Sequence, residues 1–96
     1  MPYSIEFEPS AFSDWKKLQP AARERFKKML EKRLVNPRFP SGLLTGYDGN
    51  VYRLKLLSEG LRLVYVVVEP DEVIYIVAVG KRENLAAYRK AKDLLD

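Results

Sequence analysis

The chain has 96 residues, 47% of them hydrophobic, with 17 Lys+Arg against 13 Asp+Glu and a formal charge of +4. It contains neither cysteine nor histidine, which excludes disulfides, thiolate and imidazole metal sites, and histidine acid–base chemistry. The length suits one domain with one modest core over residues 1–96, without cofactor or metal. The pI near 9.4 favours an acidic partner such as nucleic acid, although the same charge also serves plain solubility.

Met1-Pro2-Tyr3-Ser4-Ile5-Glu6 lacks the basic segment and apolar run of a signal peptide. The longest apolar stretches, Leu63 to Val68 and Val73 to Val79, are too short to cross a bilayer. No membrane association is expected, and a cytoplasmic location is.

Tyr3 to Glu8 alternates apolar and polar residues, which predicts a strand. Pro9-Ser10 ends it, with Ser10 as a candidate helix cap. Phe12, Trp15 and Leu18 at helical spacing predict a short helix over Ser10 to Leu18. Pro20 opens a second helix, Ala21 to Val35, whose Ala22, Phe26, Met29, Leu30 and Leu34 share one face. Asn36-Pro37 stops it, and Arg38 to Asn50, rich in proline and glycine, reads as a long loop. Strands are expected over Val51 to Leu57, Arg62 to Glu69 and Val73 to Val79, with turns at Glu59-Gly60 and Pro70-Asp71. Leu85, Tyr88, Ala91 and Leu95 predict a terminal helix over Glu83 to Leu95. The order β-α-α-β-β-β-α makes an α+β domain: a small, mostly antiparallel sheet, two N-terminal helices packed on one face, and a C-terminal helix. Periodicity leaves open where the first strand joins the sheet.

Alternation along the first meander strand puts Val51, Arg53, Lys55 and Leu57 on one face and Tyr52, Leu54 and Leu56 on the other, the better core face. A two-residue turn at Glu59-Gly60 sets Arg62 opposite Leu57 and Val64 opposite Lys55, on the cationic face. A four-residue loop keeps that parity. A three-residue turn would send Arg62 among Tyr52, Leu54 and Leu56, where an unpaired guanidinium is costly. The expected result is one apolar face under helices and one face bearing three cations. Cations on an open sheet face are commonly just solvated, but three so close repel one another unless an anion offsets the cost. Lys81 and Arg82 add charge where the meander ends. Tyr88 reads either as a core residue of the last helix or as a rim residue with a polar tip.

These residues carry a family resemblance. Tyr52-Arg53-Leu54-Lys55-Leu56, Gly60-Leu61-Arg62-Leu63-Val64-Tyr65, Val79-Gly80-Lys81-Arg82-Glu83 and Tyr88 resemble the RelE toxins of the RelE/ParE superfamily. Trp15-Lys16-Lys17-Leu18, the basic second helix and Asn36-Pro37-Arg38 extend the likeness over the whole chain. The resemblance implies a ribosome-dependent endoribonuclease that cuts mRNA in the ribosomal A site. It also implies a RelB-like antitoxin partner and a toxin–antitoxin complex that binds operator DNA. Carried over singly, the catalytic set is Arg53, Lys55, Arg62, Arg82 and Tyr88. Arg53 departs from the family, which has lysine there, and this leaves Lys55 as the one lysine of the set. Lysine beside positive charge is poised to lose its proton, so Lys55 is the candidate base for attack by the RNA 2′-OH. Arg53 and Arg62 are expected to bind the phosphate, Arg82 to stabilise the leaving oxygen and Tyr88 to stack on a base. Lys27, Lys28, Lys32, Arg33 and Lys81 are candidate contacts to ribosomal or messenger RNA. For the helix among them, the alternative is a solvated face compensated by Glu24 and Glu31.

Two rival readings are a ParE-like inhibitor of DNA gyrase without nuclease activity and a non-catalytic RNA-binding module. The Arg53, Lys55, Arg62, Arg82 and Tyr88 set, which ParE-type chains generally lack, favours the nuclease.

Overall fold

A computed structural model of the chain describes residues 2–45 and 49–81. The expected terminal helix, with Arg82 and Tyr88, lies outside the described residues. Strand β1 (Ser4–Phe7) leads into helices α1 (Pro9–Lys16) and α2 (Pro20–Val35), followed by strands β2 (Val51–Leu56), β3 (Leu61–Val68) and β4 (Val73–Gly80). The sheet order is β1-β4-β3-β2. The meander is antiparallel, as its short connections require. β1 joins the far edge parallel to β4, with Ile5 beside Ile74 and Phe7 beside Ile76, so the sheet is mixed.

Local chemistry sets the helix ends. Pro9 and Pro20 each occupy a first-turn position, where the missing N–H costs nothing. The cap of α1 is Glu8 rather than Ser10: its carboxylate accepts from the Ala11 N–H at 3.2 Å, and the Ser10 hydroxyl donates to the same carboxylate. The buried stripe of α1 is Ala11 and Trp15, while Phe12 is 45% exposed. Ala22, Phe26 and Leu30 of α2 pack with them onto Tyr52, Leu54, Leu56, Leu63, Tyr65, Ile74 and Ile76. Each large side chain fully removed from water there contributes about 1.5–3 kcal/mol.

The opposite face carries more than the three expected cations. Val51, Val64, Val66 and Val77 form a second buried cluster there, with Leu44 packed against it. Leu44 arrives because the long loop runs back along the outer edge of β2: Leu43 bridges Tyr52, and the Leu44 N–H donates to Val51 O at 2.9 Å. A bulge shifts the β3–β4 register between Val64 and Tyr65, so that Val64 faces Ala78 and Tyr65 faces Ile76. The extra residue, Val77, adds its side chain to the second cluster.

The loop is held from within. Phe39 stacks on Tyr52 and Tyr52 on Tyr65, with ring centroids 5.5 and 5.7 Å apart. A Cβ at Gly42 would fall 2.0 Å from the Phe39 ring, so any larger residue there would displace that ring. Burial pushes the Tyr65 hydroxyl far up, and it donates to Pro37 O at 2.5 Å. Arg38 donates to Gly49 O (2.6 Å), Asn50 Oδ1 (3.1 Å) and Glu69 Oε1 (2.8 Å), while Tyr3 donates to Glu69 Oε2 at 2.6 Å. The Tyr3 hydrogen bond and then Arg38 hold the Glu69 carboxyl below its ordinary range. A carboxyl depressed on folding stabilises the native state above its unfolded pKa, about 4.3, and loses that contribution as pH falls through the folded value. Acid unfolding followed by circular dichroism should therefore show a smaller stability loss below about pH 4.3 for Glu69→Gln than for the parent. Equal acid sensitivity would show that the exposed clamp contributes nothing.

Candidate nucleic-acid interface

The β2–β3 hairpin sets the site. Its connection is a four-residue loop, Leu57 to Gly60, in which a 3-10 turn ends at Gly60 with φ 65°, a left-handed conformation that favours glycine. Of the two connections that keep the parity, the two-residue turn is overturned and the four-residue loop is present. Lys55 lies opposite Arg62, and Arg53 opposite Val64, with the cationic parity retained. Leu57 leaves the strand and is 79% exposed. α2 braces this connection, since Arg25 donates to Ser58 Oγ at 2.9 Å and to Glu59 Oε1 at 2.6 Å.

Directly opposed residues stand about 4.5–5.5 Å apart at Cβ and diagonal ones about 7–8 Å. Lys55 and Arg62 are a direct pair and Arg53 is diagonal to Arg62, so three cations share one small patch. Lys55 is exposed, Arg53 and Arg62 are half-buried, and the Arg62 Nε is out of contact with solvent. On the other side of Arg62 stands Gly80. A Cβ at Gly80 would meet nothing within 4 Å among the described residues. Among the described residues, the row Lys55–Arg62–Gly80 therefore ends in open floor, with the buried Val64 and Val51 on the same face. Charge so placed is screened less than on an open surface.

The far end of this face is acidic. Glu6, Glu69 and Asp71 surround a cleft of about 580 Å³ that also takes in Val66, Val68, Val73 and Tyr75. A polyanion on this face is drawn to the Arg53–Lys55–Arg62 end and repelled from the other.

The structure brings Arg53, Lys55 and Arg62 together and puts Lys81 at the end of β4, one residue beyond Gly80. The helix candidates separate. Arg33 lies over the Phe39 ring, 4.4 Å from its centroid, and Lys27 pairs with Glu24 at 3.5 Å, so both have intramolecular partners. Lys28 and Lys32 are exposed, one turn apart, and form no ion pair among the described residues. Among the described residues, no helix is long and apolar enough to cross a membrane.

The model of a protein family described as the ParE toxin of type II toxin–antitoxin systems matches residues 5–86. The chain belongs to the RelE/ParE toxin family. It is 38% identical over 91 residues to the mRNA interferase toxin RelE of Escherichia coli K12, covering 95% of both chains. A free E. coli RelE carrying two arginine-to-alanine substitutions has the same fold, with a TM-score of 0.87, 36% identity and 98% of each chain covered. The same variant bound to an antitoxin RelB peptide superposes with a TM-score of 0.81 at 37% identity over 95% of each chain. The family model bears the ParE name, but these end-to-end relatives are RelE proteins, and a fold shared by both groups does not choose between them.

Proposed function

We propose that this chain is the toxin of a type II toxin–antitoxin system and a metal-independent endoribonuclease that cuts mRNA in the ribosomal A site, arresting translation in the cytoplasm. The observation that carries the reading is the cross-strand cluster of Arg53, Lys55 and Arg62 in a chain whose full-length relative is an mRNA interferase. A gyrase inhibitor has no need of three cations gathered on one sheet face.

Cleavage by the 2′-OH requires a base, charge stabilisation and a proton for the leaving 5′ oxygen. Lys55, exposed and beside Arg62, is the candidate base. Arg62 and Arg53 hold the phosphate and oppose the charge that develops on it. Arg82 stabilises the leaving oxygen, through a water if proton delivery is needed, because arginine is a poor acid. Tyr88 stacks on a base and holds the nucleotide for in-line attack. The roles of Arg82 and Tyr88 rest on the resemblance alone. The products are then a 2′,3′-cyclic or 3′-phosphate and a 5′-hydroxyl; a 5′-phosphate end would indicate an activated water and refute this chemistry.

A RelB-like antitoxin is the partner that restrains the toxin, and the complex would bind operator DNA. An acidic amphipathic helix suits the cationic end of the sheet. Cell-free translation with mapping of mRNA ends tests the whole reading. Cuts within ribosome-covered codons, lost in Arg82→Ala, support it, and intact mRNA with inhibited gyrase sinks it. For ribosome docking, Lys28 and Lys32 are the better candidates on α2. Neutralising both should flatten the salt dependence of ribosome association by about two units of log–log slope at most, one per phosphate contact. An unchanged slope would remove α2 from the interface.

A further inference from the structure

The cations do not stop at the face of the sheet. Leu61, Arg62's neighbour on the helix side, lines a second pocket of about 500 Å³ with Lys17, Leu18, Gln19, Ala21, Ala22, Glu59 and Lys81. This pocket lies under the turn between α1 and α2, around the end of the sheet from the Lys55–Arg62 pair. Two strand backbones connect the sites: Leu61 precedes Arg62 on β3, and Lys81 follows Gly80, which pairs with Arg62. The floor is apolar, formed by Leu18, Ala21, Ala22 and Leu61. The one carboxylate among its described lining residues, Glu59, is already engaged by Arg25 at 2.6 Å. Lys17 and Lys81 are exposed and form no ion pair among the described residues. Gln19 precedes α2 and makes no side-chain capping hydrogen bond, so its amide is not committed to the helix.

We propose that this pocket is a subsite for a nucleotide next to the cut: a base rests on the Leu18–Ala21–Leu61 floor, Lys17 and Lys81 hold its phosphate, and the Gln19 amide contacts the base edge. The proposal rests on the RNA-cleaving reading above. Its volume and apolar floor suit a flat base, and the two ammonium groups at the rim supply charge complementary to a phosphodiester. Gln19 offers one acceptor and two donors, the inventory that discriminates among base edges. Among the described residues nothing lies within 4 Å of a Cβ at Gly80, so the subsite adjoins the Lys55–Arg62 row across the end of β4. An RNA strand lying on that row thus has a path over the sheet end into the pocket, whereas the acidic cleft at the opposite end repels it. The base preference of the enzyme would in this way extend beyond the nucleotide at the scissile phosphate.

Single-turnover cleavage of ribosome-bound mRNAs, varied at the nucleotides on either side of the scissile phosphate, tests this with the full chain. Lys17 and Gln19 are both exposed, so Lys17→Glu and Gln19→Leu should fold. Lys17→Glu should raise the half-saturating toxin concentration about tenfold by replacing a phosphate contact with repulsion. Gln19→Leu should flatten the preference at one flanking position. If the parent cuts and both variants retain its half-saturation and preferences, the subsite is overturned while the nuclease reading stands. If Lys17→Glu weakens every message equally and Gln19→Leu leaves the preferences intact, the pocket contacts ribosomal RNA and the messenger assignment falls. A parent that does not cut overturns both readings.

Discussion

Arg62→Ala is expected to slow single-turnover cleavage of ribosome-bound mRNA by about 10²–10³-fold, the loss typical of deleting one preorganised donor to a developing oxyanion. Arg62 is the middle of the cationic row, directly opposite Lys55 and diagonal to Arg53. It is half-buried against the valine cluster, so its guanidinium has less orientational freedom and less solvent to compete with than the exposed Lys55. Arg62→Lys should recover only part of the rate, because an ammonium is a point charge without the planar fork that grips two phosphate oxygens. Denaturation of the alanine variant, measured in parallel, separates lost chemistry from lost fold. An Arg62→Ala enzyme with the parental rate would exclude Arg62 from catalysis and leave a binding face without a cutting site.

Much of this arrangement was legible in the sequence, for identifiable reasons. Alternation in Tyr52-Arg53-Leu54-Lys55-Leu56 assigns the two faces because the strand period is two. The cost of burying Arg62 among leucines fixes the parity of the hairpin without any knowledge of its turn. The register itself was not legible. Glu59-Gly60 suggests a two-residue turn with a four-residue loop as the alternative of equal parity; Gly60 closes the four-residue loop, which Arg25 braces from α2 at Ser58 and Glu59, a contact between residues more than thirty positions apart. The parallel pairing of β1 with β4 was likewise invisible to periodicity. That pairing and the helices it positions bring Lys17 beside Lys81, which is why the pocket under the α1–α2 turn has no signal along the chain beyond Lys16-Lys17 before Pro20. Val51 and Val64 share a face with Arg53 and Lys55, yet they are buried, and Leu44, returned by the loop, is among the residues packed against them. On α2, Lys27, Lys28 and Lys32 are exposed as spacing suggests, but spacing could not show that Phe39 would engage the half-buried Arg33.

Phe26→Ala is expected to destabilise the fold by about 3–5 kcal/mol, through lost transfer free energy and an unfilled cavity. The ring has no exposure and lies 6.2 Å from the Trp15 ring, centroid to centroid, where α1 and α2 together cover the sheet. A domain this small is typically stable by only about 5–15 kcal/mol, so chemical denaturation should reveal a much lower midpoint and, when warm, a partly unfolded population. Phe12 is the control: it has the same side chain but is 45% exposed, and Phe12→Ala should cost about 1 kcal/mol or less. The consequence reaches the site indirectly. α2 both seals the core and supplies the Arg25 brace for the hairpin loop, an exposed pair that by itself contributes about 0.2–1 kcal/mol. Loosening α2 frees the connection that sets Lys55 opposite Arg62. Phe26→Ala should accordingly lose cleavage in proportion to the unfolded fraction and regain it on mild cooling, whereas Arg62→Ala should remain slow at every temperature. If Phe26→Ala stayed fully folded and slow, the helix would act on the cationic row by some route other than stability, and the division between the core face and the reacting face would have to be redrawn.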